Sequence, residues 1–304
     1  MAAPLNPKSS PLKKSESAAG SASVKDLRAR ESNGIEHLIR LLLKHHSTPF
    51  MIIRKKQLLK QSQRFQKALP LVTPFYAVKA NPHPDIIKTF IKEGCGFDVA
   101  SAAEMRLVLG LGAKPEKIIF AHTIKSVEDI IAARRCRVRL MTCDNESELY
   151  KISEHFPGAQ VVLRIKVNND QSVVNLSLKF GADPEMAVPM FRKAKLLGLK
   201  PAGISFHVGS QSKNIENYLQ ALEITAQIFA AAKENDIPLN LVDIGGGFPI
   251  PHFDGEIGIN FERMAAQIHK QIQGLFDKKV AFIAEPGRFF SGPAGVLVTQ
   301  VVGR

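Results

Sequence analysis

The sequence predicts an α/β protein built on a closed (β/α)8 TIM-type barrel. Three observations carry this. Eight short apolar runs, ending near Lys79, Ala100, Ala121, Thr142, Lys166, Val208, Ile244 and Ala284, have the length and composition of buried strands. Segments with helical apolar spacing alternate with them, predicted at Asp85–Glu93, Ala102–Leu111, Ser126–Arg135, Asn145–Phe156, Met186–Leu197, Ile215–Asn235 and Phe261–Phe276. Every run closes on a polar, charged or glycine-rich position: Lys79, Asp98, His122, Asp144, Arg164, His207, the triplet Gly245-Gly246-Gly247, and Glu285 with Arg288. Strands alternating with helices imply a parallel sheet, and a count of eight favours closure over the runner-up, a doubly wound open sheet. Barrels gather ligand-binding groups at the C-terminal ends of their strands. Helix capping alone would favour Ser, Thr, Asp and Asn there, not Lys, Arg and His.

Taken in order, residues 1–34 are rich in Ser, Ala, Lys and Pro and lack an apolar period, so they read as a disordered tail. Glu16, Asp26 and Glu31 weaken a transit-peptide reading, and there is no secretory apolar region. Residues 35–73 supply a helix from Ile35 to Leu43, a strand at Thr48–Ile53 and a helix from about Lys55 to Ala68. The barrel is expected over 74–290. Its first strand opens at Pro74, continues through the apolar Phe75-Tyr76-Ala77-Val78, and turns at Asn81-Pro82. Ser101 followed by Glu104 is a capping box at a helix start. Beyond Arg288, the stretch Pro293–Val302 is β-branched and strand-like. Residues 291–304 are therefore expected to be the first strand of an incomplete C-terminal β-domain, with Pro49–Ile53 as a candidate partner. Edge strands left bare in this way would make the chain poorly stable on its own.

The chain has 304 residues, 45% of them apolar, enough for a large core. Its net charge of +13 is spread along the sequence, and no zinc-finger or RNA-binding signature accompanies it, so no nucleic-acid partner is expected. The one cluster, Arg134-Arg135-Cys136-Arg137-Val138-Arg139, reads as a solvated helix end, with a partner-binding patch as the other reading. No apolar run is long enough to span a membrane. The three cysteines, Cys95, Cys136 and Cys143, form no C-x-x-C pair, which argues against a disulfide framework or zinc site and for a reduced, cytoplasmic setting.

Four of the strand ends suit one chemistry. Lys79 is placed where desolvation is expected to lower its pKa, freeing an amine to attack a carbonyl and form a Schiff base; alone, it reads as a snorkelling lysine at a strand end, and the other strand ends reverse that reading. The Gly245-Gly246-Gly247 run can bring backbone N–H groups close to a phosphate, as barrels do after strands seven and eight, or can be a tight turn. Arg288 would add a forked donor. Glu285, before Pro286 and Gly287, needs a cation, either a protonated ring nitrogen or Arg288. His207 can stack on a planar ring or be a hydrogen-bonded structural residue, and Ser210 can donate to a phosphate. Together these describe a pyridoxal 5'-phosphate site.

The motifs Phe75-Tyr76-Ala77-Val78-Lys79-Ala80-Asn81, Gly96-Phe97-Asp98-Val99-Ala100-Ser101, Ser205-Phe206-His207-Val208-Gly209-Ser210, Asp243-Ile244-Gly245-Gly246-Gly247-Phe248-Pro249 and Glu285-Pro286-Gly287-Arg288 resemble the fold type III, alanine-racemase-like pyridoxal phosphate decarboxylases of basic amino acids. Leu178-Lys179-Phe180-Gly181-Ala182 and the Phe-Pro after the glycines are most similar to eukaryotic-type ornithine decarboxylase, with diaminopimelate decarboxylases the nearest alternative. The resemblance implies that Lys79 anchors the cofactor and Glu285 pairs with its ring nitrogen. It implies that His207 stacks on the ring and that Ser210, Gly247 and Arg288 hold the phosphate. Asp98 and Arg164 would lie by Lys79 and the ring oxygen, with Glu104 behind. Loss of CO2 from ornithine to give putrescine is the implied reaction; lysine, arginine or diaminopimelate is the alternative substrate. The family also implies a homodimer and an antizyme-like regulator. Its C-terminal β-domain supplies a cysteine proton donor and the acids that select the substrate, and none of Cys95, Cys136 and Cys143 matches that donor motif. A non-catalytic cofactor-binding or decoy protein is the competing reading.

Overall fold

A computed structural model of the chain describes residues 34–168, 179–251 and 260–303. The sequence tail before residue 34, and Leu178 of the Leu178–Ala182 motif, lie outside the described residues. The chain divides into two compact units, Met1–Met51 with Leu297–Arg304, and Ile52–Val296. In the first, residues 34–42 are helical (α1). Strands β1 (Phe50–Ile53) and β10 (Gly295–Val298) form a two-stranded sheet, the partnership anticipated for the strand-like terminal stretch. The helix α2, Lys55–Ala68, follows β1.

The second unit is the barrel. Eight strands close on themselves in sequence order: β2 (Val72–Ala77), β3 (Gly96–Val99), β4 (Ile118–Phe120), β5 (Leu140–Cys143), β6 (Gln160–Arg164), β7 (Lys200–Ser205), β8 (Leu241–Asp243) and β9 (Ala281–Ala284). All neighbours are parallel, and the first and last pair through Val72↔Phe282 and Pro74↔Ala284. Helices α3 (Pro84–Lys92), α4 (Ala102–Gly110), α5 (Val127–Arg135), α6 (Glu146–His155), α7 (Ala187–Leu196), α8 (Glu216–Glu234) and α9 (Phe261–Leu275) fill the connections. Their starts follow from local chemistry. Ser101, Ser126, Asn145 and Asn260 each accept a backbone N–H of the first turn.

Two corrections concern strand ends. Strand β2 stops at Ala77, and Lys79 sits in the 3-10 turn Val78–Ala80 that follows. Strand β7 stops at Ser205 instead of near Val208, because Gly209 turns the chain with φ +86° and its N–H bonds the His207 ring. The capping box is also only half as expected. Ser101 Oγ accepts the Glu104 N–H, but the Glu104 carboxylate bonds the N–H of Ala100 instead of that of Ser101.

The period-two alternation of strands sorts side chains into two cores. Phe75, Ile119, Ala121, Val162, Ala202 and Ile283 pack together, while Tyr76, Phe97, Phe120, Met141, Leu163, Ile204, Val242 and Phe282 belong to the larger core that includes the helices. The first set fills the barrel interior. The same phase turns Asp98, Arg164 and Asp243 inward at the upper ends of their strands. The outer core is anchored by Phe65 of α2, fully buried, with ring centroids 5.1 Å from Phe248, 5.9 Å from Phe261 and 5.7 Å from Phe290. Phe65→Ala is expected to lower the unfolding free energy by about 3–5 kcal/mol, through lost burial and an unfilled cavity. Urea denaturation followed by far-ultraviolet circular dichroism measures it.

Candidate functional site at the barrel mouth

The inward phase of β3 buries Asp98 to 1% exposure. The register Ala77↔Asp98 brings it beside the turn that carries Lys79. Lys79 Nζ donates to Asp98 Oδ2 at 2.8 Å, with 58% of the lysine side chain still open. Its pKa is raised, above all by the Asp98 carboxylate, which outweighs desolvation, with Glu285 adding to the effect. This reverses the expectation from sequence that desolvation would lower it. Lys79 is thus held as an ammonium against Asp98. Asp98 Oδ1 is buried without a hydrogen-bond partner.

Glu104 stands behind, its carboxyl raised by burial and, against its bond to Ala100, by the nearby Asp98 charge. Arg164 ends β6. Burial lowers its pKa while Glu285, Asp144, Asp243 and Asp98 oppose this. Its guanidinium lies 5.0 Å over the Phe180 ring, and the bonds from Ala182 N to Arg164 O and from Gly181 N to Asp144 Oδ2 seat that segment at the mouth. His122 meets the edge of the same Phe180 ring at 6.1 Å.

His207 accepts the Gly209 N–H on Nδ1 at 3.0 Å. Burial, then the Arg164 and Lys79 cations, push its pKa down to about 3, so the ring is neutral with its proton on Nε2. Ser210 is part-buried in the same turn. The glycine triplet lies against it. Gly247 has φ +97°, and a Cβ there would collide with the carbonyl of Gly209. A Cβ on Gly246 would sit 2.7 Å from the Glu285 carbonyl and 3.2 Å from His207 Nε2. The three turns after β7, β8 and β9 thus approach at backbone distance. Gly245 O accepts the Glu285 N–H at 2.8 Å, which ties the β8 and β9 turns together. After Pro286, Gly287 precedes the short helix α10, Arg288–Ser291, whose first residue is exposed.

Glu285 is surrounded by acids. Burial, then Asp243, then Asp98, raise its carboxyl well above the ordinary range. The structure therefore adds two residues that sequence reading passed over. Asp243, 1% exposed, ends β8 beside Glu285, with its carboxyl pushed up to about 7 mainly by burial. Tyr218, fully buried in α8, donates from its hydroxyl to Gly246 O at 2.8 Å and braces the glycine turn from behind. Asp243 carried a usable signal, an acid on the inward phase of an apolar strand. Tyr218 carried none, being one apolar position of a long helix.

These features fit a phosphorylated aromatic aldehyde. The mouth offers an amine on a turn, an unpartnered buried carboxylate oxygen, a glycine surface with no side chains, and a carboxyl deep enough to need a charged partner. Among the described residues, no helix is long and apolar enough to cross a membrane.

Residues 55–292 match the family described as pyridoxal-dependent decarboxylase, pyridoxal binding domain. The lysine/ornithine decarboxylase of Selenomonas ruminantium is 38% identical over 268 residues, 88% of this chain and 68% of that protein. The ornithine decarboxylase of Schizosaccharomyces pombe is 37% identical over 258 residues, 85% of this chain and 58% of that protein. Among solved structures, the Paramecium bursaria Chlorella virus arginine decarboxylase bound to agmatine superposes with a TM-score of 0.83 at 35% identity, covering 89% of this chain and 72% of that one. The chain thus spans between 58% and 68% of the length of these two curated relatives.

Proposed function

The chain belongs to the pyridoxal-dependent decarboxylases, through their pyridoxal-binding domain, and on that premise we propose that it serves the decarboxylation of a basic amino acid, L-ornithine to putrescine. The observation that carries the reading is the Lys79–Asp98 ion pair at the mouth, beside the glycine turns and the half-buried Glu285. Pyridoxal 5'-phosphate supplies an electron sink that stabilises the charge left on the α-carbon when CO2 departs.

The protein residues set up that chemistry. Lys79 is the covalent anchor, and Asp98 holds its amine in place. Glu285 would pair with the ring nitrogen, where its carboxylate would favour the protonated ring. His207, neutral, presents its ring face. Ser210, the N–H groups of Gly245, Gly246 and Gly247, and Arg288 with Gly287 at the start of α10 hold the phosphate, and Pro286 shapes that turn. Arg164 and Asp98 would lie by the ring's phenolic oxygen, with Glu104 behind Asp98. A homodimer, an antizyme-like regulator and a cytoplasmic setting follow from the same resemblance. Ornithine is favoured by the Lys179-Phe180-Gly181-Ala182 stretch; relatives named for lysine and arginine make those the competing substrates.

The test is CO2 release from carboxyl-labelled ornithine, lysine and arginine with the cofactor added. Ornithine is expected to be turned over fastest. A preference for lysine or arginine would overturn the ornithine assignment. Release from none of the three, with the cofactor covalently bound, would leave a cofactor-binding protein and remove the enzymatic reading.

A further inference from the structure

Arg164 is the mouth residue whose orientation the roles above leave unexplained. Its carbonyl is bonded into the strand end, but among the described residues no hydrogen bond reaches its guanidinium. The acids around it, Glu285, Asp144, Asp243 and Asp98, attract the charge from four strand ends, and a Coulomb pull sets no plane. What lies against the guanidinium is the Phe180 ring, 5.0 Å from Cζ to the centroid.

The ring is held in turn. Gly181, the next residue, has φ +100°, in the left-handed region, and a Cβ there would sit 2.6 Å from Lys166 N and 2.7 Å from the Ile165 carbonyl carbon. The segment therefore lies against the backbone that follows β6. Ala182 N donates to Arg164 O and Lys166 N donates to Ala182 O, both at 2.9 Å, in a parallel bridge of Ile165 with Ala182. Gly181 N donates to Asp144 Oδ2 at 3.0 Å. Phe180 and Arg164 thus hang from one hydrogen-bonded bridge, which limits how far apart they stand. The ring also meets His122 at 6.1 Å and 80°, and that imidazole is itself pinned by the Ile124 N–H on Nδ1 at 3.1 Å.

We propose that Phe180 is a positioning residue: its ring carries the Arg164 guanidinium, and so sets how strongly that cation acts on the phenolic oxygen of pyridoxal phosphate. The inference rests on the functional reading above and adds a residue behind one of its contacts. A cation over an aromatic face is favoured by roughly 2- to 30-fold, the range from exposed to desolvated sites. Phe180 is half-buried, where filling space alone needs no ring. A leucine would keep most of the apolar contact and lose the face. A guanidinium released from the ring samples several rotamers, and its mean effect at any one point falls.

Two readouts on the full chain test this. The first needs no cofactor. With isotope-labelled arginine, the nuclear magnetic resonance signals of the Arg164 side chain, identified by their loss in Arg164→Lys, are expected to be displaced upfield by the ring current of Phe180. Phe180→Leu should return them to the ordinary arginine position, and Phe180→Tyr should keep them displaced. The second readout is the pH at which the visible absorption of the bound cofactor changes. A cation at the ring oxygen favours loss of the cofactor's proton. Loosening that cation in Phe180→Leu should therefore raise this pH by roughly 0.5–1 unit, with Phe180→Tyr at the wild-type value. The four acids facing Arg164 are the same in both variants, and His207 is neutral, so the shift reports the arginine. Undisplaced wild-type signals, a Phe180→Leu profile that matches wild type, or a Phe180→Tyr profile that departs from it each overturn the proposal. The first and third apply even if Phe180→Leu fails to fold. Borohydride reduction separates this inference from the functional reading. Cofactor trapped at Lys79 with an unmoved profile sinks the positioning role alone, whereas no trapped cofactor sinks the functional reading and this inference with it.

Discussion

Lys79→Ala is expected to abolish the borohydride-stable cofactor label and any CO2 release, and to do so while cofactor can still enter the mouth. The covalent link needs an amine at this one turn. Among the described residues, the one buried lysine, Lys125, is committed to Glu148 at 3.0 Å and to the carbonyls of His122 and Thr142. The substitution has a second consequence, for stability. Asp98 loses the partner of one oxygen while its other oxygen already has none. Leaving a buried carboxylate so exposed to its own desolvation costs about 1–3 kcal/mol, discounted toward the lower end because the lysine side chain is 58% open to solvent. Lys79→Arg separates the two effects. It restores a cation for Asp98, and with it most of the lost stability, but offers no amine for the link. Mass spectrometry after borohydride reduction reads the first effect and urea denaturation the second. A label of wild-type occupancy in Lys79→Ala would remove the anchor assignment.

The contrast between what was readable and what was not has a physical pattern. Local signals were readable. Apolar runs and helical spacing located all eight barrel strands, and Ser101, Ser126 and Asn145 marked helix starts that the structure keeps. Residue type at strand ends located Lys79, Asp98, Arg164, His207 and Glu285 at one mouth, because in a parallel barrel every strand end points the same way. What escaped was whatever depends on who meets whom. The Lys79 ionisation was read with the wrong sign, because desolvation can be guessed from a strand end but the opposing charge comes from a residue 19 positions away, matched only by the β2–β3 register. Asp243 escaped for a related reason. It precedes the glycines by two positions and entered only as part of their motif, with no role of its own, although its electrostatic setting comes from Glu285, which follows the neighbouring strand β9. Tyr218 reaches Gly246 from a helix, and nothing in helical spacing marks a hydroxyl destined for a turn carbonyl.

The glycine turn offers the second large effect. Gly247→Ala is expected to weaken pyridoxal phosphate binding by at least ~30-fold, or about 2 kcal/mol, while leaving the helices and barrel folded. Two costs add at this position. The backbone holds φ +97°, a conformation that L side chains adopt at a penalty of about 1–2 kcal/mol. The new Cβ also meets the Gly209 carbonyl, which is backbone and cannot swing away as a side chain would. Gly209 lies between His207 and Ser210, and the Gly247 carbonyl accepts the N–H of Ser212 at 2.9 Å. Pushing the two turns apart therefore shifts the ring-facing histidine and the phosphate donors together. Gly274→Ala is the matched control. It lies inside α9 with nothing near its added Cβ, so it is expected to be neutral or to stabilise by roughly 0.5–1 kcal/mol through helix propensity. Cofactor titration by fluorescence, with circular dichroism to verify folding, compares the two. Equal affinity in both variants would show that the close approach of the β7 and β8 turns does not form the phosphate cradle.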